Sequence, residues 1–154
     1  MAIRATTVRD VMSHPVATVE PSDTLYVADE RMAARGIRHL PVVDNGRVIG
    51  VLSQNDLIEQ GTTSALGYAT IGQKKLLRAI HAADAMTESV VTTSPETRVT
   101  EAALTLITRR LGCLPVTEGQ TLVGIVTARD LLKGLVATAD DTPAAADEWL
   151  IAAV

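Results

Sequence analysis

Gly124-Ile125-Val126-Thr127-Ala128-Arg129-Asp130 decides how this chain is read: two apolar residues run from a glycine to a hydroxyl, and an acid follows three positions later. Gly50-Val51-Leu52-Ser53-Gln54-Asn55-Asp56 repeats the form, and 130 minus 56, like 124 minus 50, is 74. The same offset pairs Asp10 with Asp84, Met12 with Met86, Pro21 with Pro95, and Leu40-Pro41-Val42 with Leu114-Pro115-Val116, with no insertion or deletion. The chain is an internal duplication.

Outward from the motif, each repeat has the same plan. Val8 to Met12 reads as a short opening element, and Val16 to Val19 is β-branched enough for a strand that Glu20-Pro21-Ser22-Asp23 stops. Leu25, Ala28 and Met32 then recur at helical spacing, with Ser22, Asp23 or Thr24 available as cap and Gly36 as terminator. Leu40 to Val43 and Val48 to Leu52 flank the turn Asp44-Asn45-Gly46, a hairpin signal. Pro41 cannot donate to a ladder and is expected at an edge or at a strand start. Ser53 opens a helix carrying Leu57 and Ile58.

The second repeat predicts a strand at Val90 to Thr93, a helix on Val99, Ala102, Ala103 and Leu106, strands at Leu114 to Thr117 and Leu122 to Val126 around Glu118-Gly119-Gln120, and a helix from Thr127. The expected fold class is therefore α+β: two tandem β-α-β-β-α repeats, related by a pseudo-two-fold axis because each small sheet needs cover. The expected boundaries are residues 1–61 for the first repeat, 62–81 for a partly helical linker, 82–135 for the second repeat and 136–154 for a tail. Within the linker, Gly61 to Gly67 reads as loop and Ile71 to Ala83 as helix, with a basic side of Lys74, Lys75, Arg78 and His81 that is either solvated or borders an anion site. In the tail, Thr142-Pro143 starts a helix whose apolar stripe includes Trp149.

Composition narrows the function. A net charge of -4 offers no field for the phosphates of a nucleic acid polymer. Aromatic residues are only 2% of the chain, so the core and any surface that holds a ring are aliphatic. Cys113 is the single cysteine, and His14, His39 and His81 are scattered, which gives no metal-ligand spacing and no nucleophile–base pair. No catalytic residue and no metal are expected. With neither an apolar leader nor a membrane-length apolar run, the chain reads as soluble, cytoplasmic and without membrane contact.

Ser53 with Asp56, and Thr127 with Asp130, have capping-box spacing, which is a structural role in itself. The doubled glycine-to-acid motif, the Leu-Pro-Val strand before it and the Val/Ala-Met opening together resemble a tandem pair of cystathionine-beta-synthase (CBS) domains, often called a Bateman module. The resemblance covers about Val8 to Gly61 and Ala82 to Leu135. It implies a regulatory protein that binds adenosine nucleotides (AMP, ADP or ATP) in clefts between its repeats and signals by conformational or oligomeric change, as a stand-alone module without a catalytic domain.

By that resemblance Asp56 and Asp130 bind the ribose, and Ser53 and Thr127 lie near ribose or phosphate. Val16, Ala17, Thr18, Leu40 and Pro41, and in the second repeat Val90, Val91, Thr92, Leu114 and Pro115, line the adenine pockets. An ionised carboxylate can accept from two adjacent hydroxyls, which suits the role. Cations for phosphate are unequal: Arg38-His39 precede the first Leu-Pro-Val strand where Gly112-Cys113 precede the second, and Arg129 stands where the first repeat has Asn55. Two unequal sites follow. The resemblance also implies a homodimer and an effector protein that the sequence does not identify. The alternatives are a ligand-free dimeric scaffold, which Gly112-Cys113 favours, and an S-adenosylmethionine sensor.

Overall fold

A computed structural model describes residues 7–60 and 71–138. Its elements in chain order are α1 (Val8–Val11), α2 (Leu25–Arg35), β1 (His39–Asp44), β2 (Arg47–Ser53), α3 (Gln54–Glu59), α4 (Ile71–Ala79), α5 (Ala82–Ala85), α6 (Val99–Arg109), β3 (Cys113–Glu118), β4 (Thr121–Thr127) and α7 (Ala128–Thr138). They form two compact units. The continuous unit is Ala17–Val90, and the composite unit joins the chain up to Val16 to the chain from Val91. Each is a β-hairpin with helices. The expected loop at Gly61 to Gly67 and the tail helix with Trp149 lie outside the described residues.

In the continuous unit, α2 forms where the spacing predicts it. Thr24 Oγ1 accepts from the Val27 N–H at 3.4 Å, and Gly36 ends the helix in the left-handed region at φ 62°. Leu25, Ala28 and Met32 are buried, and with Val19, Leu40, Val42, Leu52, Leu57, Leu77 and Ala82 they make an aliphatic core. The β1–β2 turn puts Asn45 and Gly46 at φ 49° and 81°, the paired positive values of a two-residue hairpin loop whose twist matches its strands. In the composite unit, Val8, Ala102, Leu106, Leu114, Val116 and Val126 form the corresponding core. The β3–β4 hairpin repeats the β1–β2 register residue for residue, including a one-residue slip after Val116 that matches the one after Val42.

Two expectations need correction. The opening strands at Val16–Val19 and Val90–Thr93 shrink to single parallel bridges, Val19 with Val42 and Thr93 with Val116. Only the Val19 and Thr93 N–H groups reach the hairpins, at Pro41 O (3.1 Å) and Pro115 O (3.0 Å). Pro41 and Pro115 are third in β1 and β3, and both of these are edge strands, as expected for a residue without a donor. Their missing donors cost nothing there, because each faces the side that carries only that one bridge. The linker helix stops at Ala79, and a separate turn, α5, follows. The chain between is claimed by backbone bonds from Leu25 N to Ile80 O (2.9 Å) and from Ala82 N to Asp23 O (2.7 Å), so tertiary pairing overrides helical continuation.

On the basic side of α4, Lys74, Lys75 and Arg78 are exposed, and the Arg78 guanidinium lies 4.4 Å from the centre of the Tyr26 ring. Among the described residues no helix is long and apolar enough to cross a membrane.

Candidate functional site

In the continuous unit the site residues converge where the hairpin ends. His39, first in β1, lies opposite Ser53, last in β2 and N-cap of α3. Ser53 Oγ accepts from the Asp56 N–H at 3.2 Å, while Asp56 Oδ2 accepts from the Ser53 N–H at 2.7 Å and from the Ser53 hydroxyl at 2.9 Å. The capping box is formed, and it holds the carboxylate in place. Asp56 Oδ1 accepts from no described residue. Gln54 N donates to Arg38 O at 2.8 Å, which ties Arg38 and His39 to the same helix start. Burial pulls the His39 imidazole below its usual pKa; the Asp56 charge works in the opposite direction and Arg38 reinforces burial. His39 is thus a half-buried neutral ring beside the acid, and Arg38 is the exposed cation.

The composite unit builds the same end with other side chains. Cys113 lies opposite Thr127. Asp130 Oδ2 accepts from the Thr127 N–H (2.9 Å) and hydroxyl (3.1 Å), and the Asp130 N–H donates to Thr127 Oγ1 at 3.3 Å. Cys113 is buried, and that burial pushes its thiol up to about 12, so it is an inert apolar filler where the other unit has an imidazole. Gly112 and Arg129 are exposed. Asp130 has a further partner: Ser13 Oγ donates to Asp130 Oδ1 at 3.1 Å.

Ser13 was not expected at the site. It arrives because the opening segment runs beside the hairpin, with Ser13 N to Ile125 O at 2.8 Å and Ile125 N to Ser13 O at 3.0 Å. Thr87, its counterpart at the 74-residue offset, is held identically against Val51 (2.9 and 3.0 Å). The glycine that opens each motif follows from the same approach. A Cβ on Gly50 would meet Met86 Sδ, and one on Gly124 would meet Met12 Sδ. The paired Met–hydroxyl steps, Met12-Ser13 and Met86-Thr87, were the available signal.

Ala17, Thr18, Leu40, Pro41 and Val90 fall in the continuous unit with Arg38, His39, Ser53 and Asp56, while Val16, Val91, Thr92, Leu114 and Pro115 fall in the composite unit with Thr127, Arg129 and Asp130. Leu40 and Leu114 are fully buried, so their side chains belong to the cores. A surface cavity of about 720 Å³ in the composite unit is lined by Thr92 and Leu114 of the expected adenine set together with Glu96, Thr105 and Glu118 beside Arg9, while Thr127 and Asp130 are not among its lining residues. Arg9 is bound at its wall by Glu96 (2.7 Å) and Glu118 (3.1 Å), the first pairing doing most to raise its pKa. Among the described residues no cluster of His, Cys, Asp and Glu could hold a metal ion.

The sequence pattern of the CBS domain matches twice, at residues 8–61 and 82–137. A CBS domain-containing protein of Dictyostelium discoideum is 31% identical over 88% of this chain and 95% of its own length. Several other curated relatives are longer, and the chain spans less than half of each. Among solved structures, the CBS domain of a CBS domain-containing membrane protein from Sphaerobacter thermophilus is 32% identical with a TM-score of 0.74, covering 85% of this chain and 88% of that one. CBSX2, solved in complex with AMP, shares the fold at 23% identity and a TM-score of 0.72, over 86% of this chain and 97% of that one.

Proposed function

The chain belongs to the CBS domain family, and from that premise we propose that it is a regulatory module that binds adenosine nucleotides through Asp56 and Asp130 and reports their level to another molecule. The observation that carries the reading is Asp56: its Oδ2 is fixed by the cap, and its Oδ1 accepts from no described residue beside Arg38 and His39. A fixed carboxylate with acceptor capacity to spare suits adjacent ribose hydroxyls, and the neighbouring cation suits a phosphate. Ala17, Thr18 and Pro41 supply the aliphatic and backbone surface for the base; Val90, and Val16, Val91, Thr92 and Pro115 in the composite unit, complete the proposed set. Ligand binding shifts the protein between arrangements by no more than its differential affinity for them. Homodimerisation is part of the reading, supported by Leu104, Ile107 and Leu132, which are 60%, 73% and 62% exposed on α6 and α7.

A second reading, a ligand-free dimeric scaffold, is favoured by the Gly112–Cys113 end, where the thiol is buried and no cation replaces Arg38-His39. Calorimetric titration of ligand-stripped protein with AMP, ADP, ATP and S-adenosylmethionine separates the two. Saturable nucleotide binding that Asp56→Ala weakens in a folded protein supports the sensor. No heat with any ligand supports the scaffold, and unfolding of Asp56→Ala or Asp130→Ala reduces the acids to their capping role.

A further inference from the structure

We propose that Ser13 competes internally for Asp130, so that the composite unit accepts a vicinal diol more weakly than the continuous unit does; this rests on the adenosine reading above. An ionised carboxylate offers about four acceptor sites, two on each oxygen. In both units Oδ2 spends two on the N–H and the hydroxyl of its cap residue. Among the described residues none donates to Asp56 Oδ1, which keeps two, the number that the adjacent hydroxyls of a ribose need. Asp130 Oδ1 has already accepted the Ser13 hydroxyl, so a ribose finds one. Ser13 stands in for a ligand hydroxyl.

The difference is one of side chain and not of backbone. Ser13 and Thr87 are bonded to Ile125 and Val51 in the same way, yet only the Ser13 hydroxyl is bonded to the acid. Thr87 is branched at Cβ, which restricts the rotation that serine is free to make. Ser13 is exposed, so its hydroxyl can turn to water when a ligand arrives. It therefore tunes affinity and does not close the site.

The test uses the full chain carrying Asp56→Ala, which leaves Asp130 as the remaining diol site, titrated with AMP and with 2′-deoxy-AMP before and after adding Ser13→Ala. Adding Ser13→Ala is expected to tighten AMP about tenfold, the worth of one hydrogen bond to a charged acceptor. The deoxy ligand, which needs only one acceptor site, is expected to be unchanged. Equal tightening of both ligands, or unchanged or weaker AMP binding, overturns the role of Ser13 alone. AMP binding by the unsubstituted chain with none in either Asp56→Ala variant shows that Asp130 is no diol site and overturns it as well. Absence of AMP binding from the unsubstituted chain overturns the adenosine reading and this inference together.

Discussion

The continuous and composite units share a hairpin register, a bulge, a capping box and a glycine under a methionine, but they differ in several side chains around the capping acid. His39 and Cys113 occupy one position, Arg38 and Gly112 the next, and Ser13 reaches Asp130 while Thr87 does not reach Asp56. What duplication preserved is what the backbone requires. What diverged is what the backbone tolerates, and under the proposed sensor reading ligand selectivity would lie in that second set.

The largest effect tests the shared part. Leu40→Ala and Leu114→Ala each empty a fully buried site, and each is expected to cost about 2–5 kcal/mol in urea unfolding. A negligible cost in one would break the equivalence of the cores. Gly50→Ala and Gly124→Ala push a methyl into Met86 and Met12, for about 1–3 kcal/mol. Adding Met12→Ala to Gly124→Ala should recover part of that loss; failure to do so would mean that the clash is with backbone.

The helix ends should behave oppositely. Gly36 and Arg110 hold the same left-handed position, at φ 62° and 54°. Gly36→Ala is expected to destabilise by about 1 kcal/mol and Arg110→Gly to stabilise by a similar amount, read as Tm shifts of opposite sign.

The smallest effect is pH dependence, with opposite signs at one position. The folded pKa of His39 is lowered below 6.5, so its contribution to stability is present above that value and is lost as pH falls through the folded pKa. The folded pKa of Cys113 is raised from 9.0 to about 12, so its contribution is full below 9.0 and is lost as pH rises toward 12. His39→Gln should flatten the acid limb of a stability–pH curve and Cys113→Ser the alkaline limb. A substitution that leaves its limb unchanged would remove that residue from the comparison.

The repeat, both hairpins, the caps of α3 and α7, the extent of α2 and the presence of α6 were legible because each is written in local residue types: Asn45-Gly46 for a turn, Ser53 with Asp56 for a helix start. The opening strands were not. Val16 to Val19 has strand propensity, but the hairpin receives only Val19, and propensity cannot report how much partner edge is offered. At the hairpin ends, the capping role of both acids and the asymmetry between Arg38-His39 and Gly112-Cys113 were readable. Ser13 was not, because it meets Asp130 across 117 residues of chain and no local spacing encodes that meeting.

The way the chain is divided has a consequence for synthesis. Ala17–Val90 is one unbroken stretch, whereas the composite unit needs residues from both sides of it. Emerging from a ribosome, the continuous unit can close as soon as its last residues are made, while Val8 and Met12 wait for β3 and β4. Val8 is fully buried once that happens. Until then it is an exposed apolar side chain, and the interval during which it needs shielding is set by how fast the second hairpin is translated.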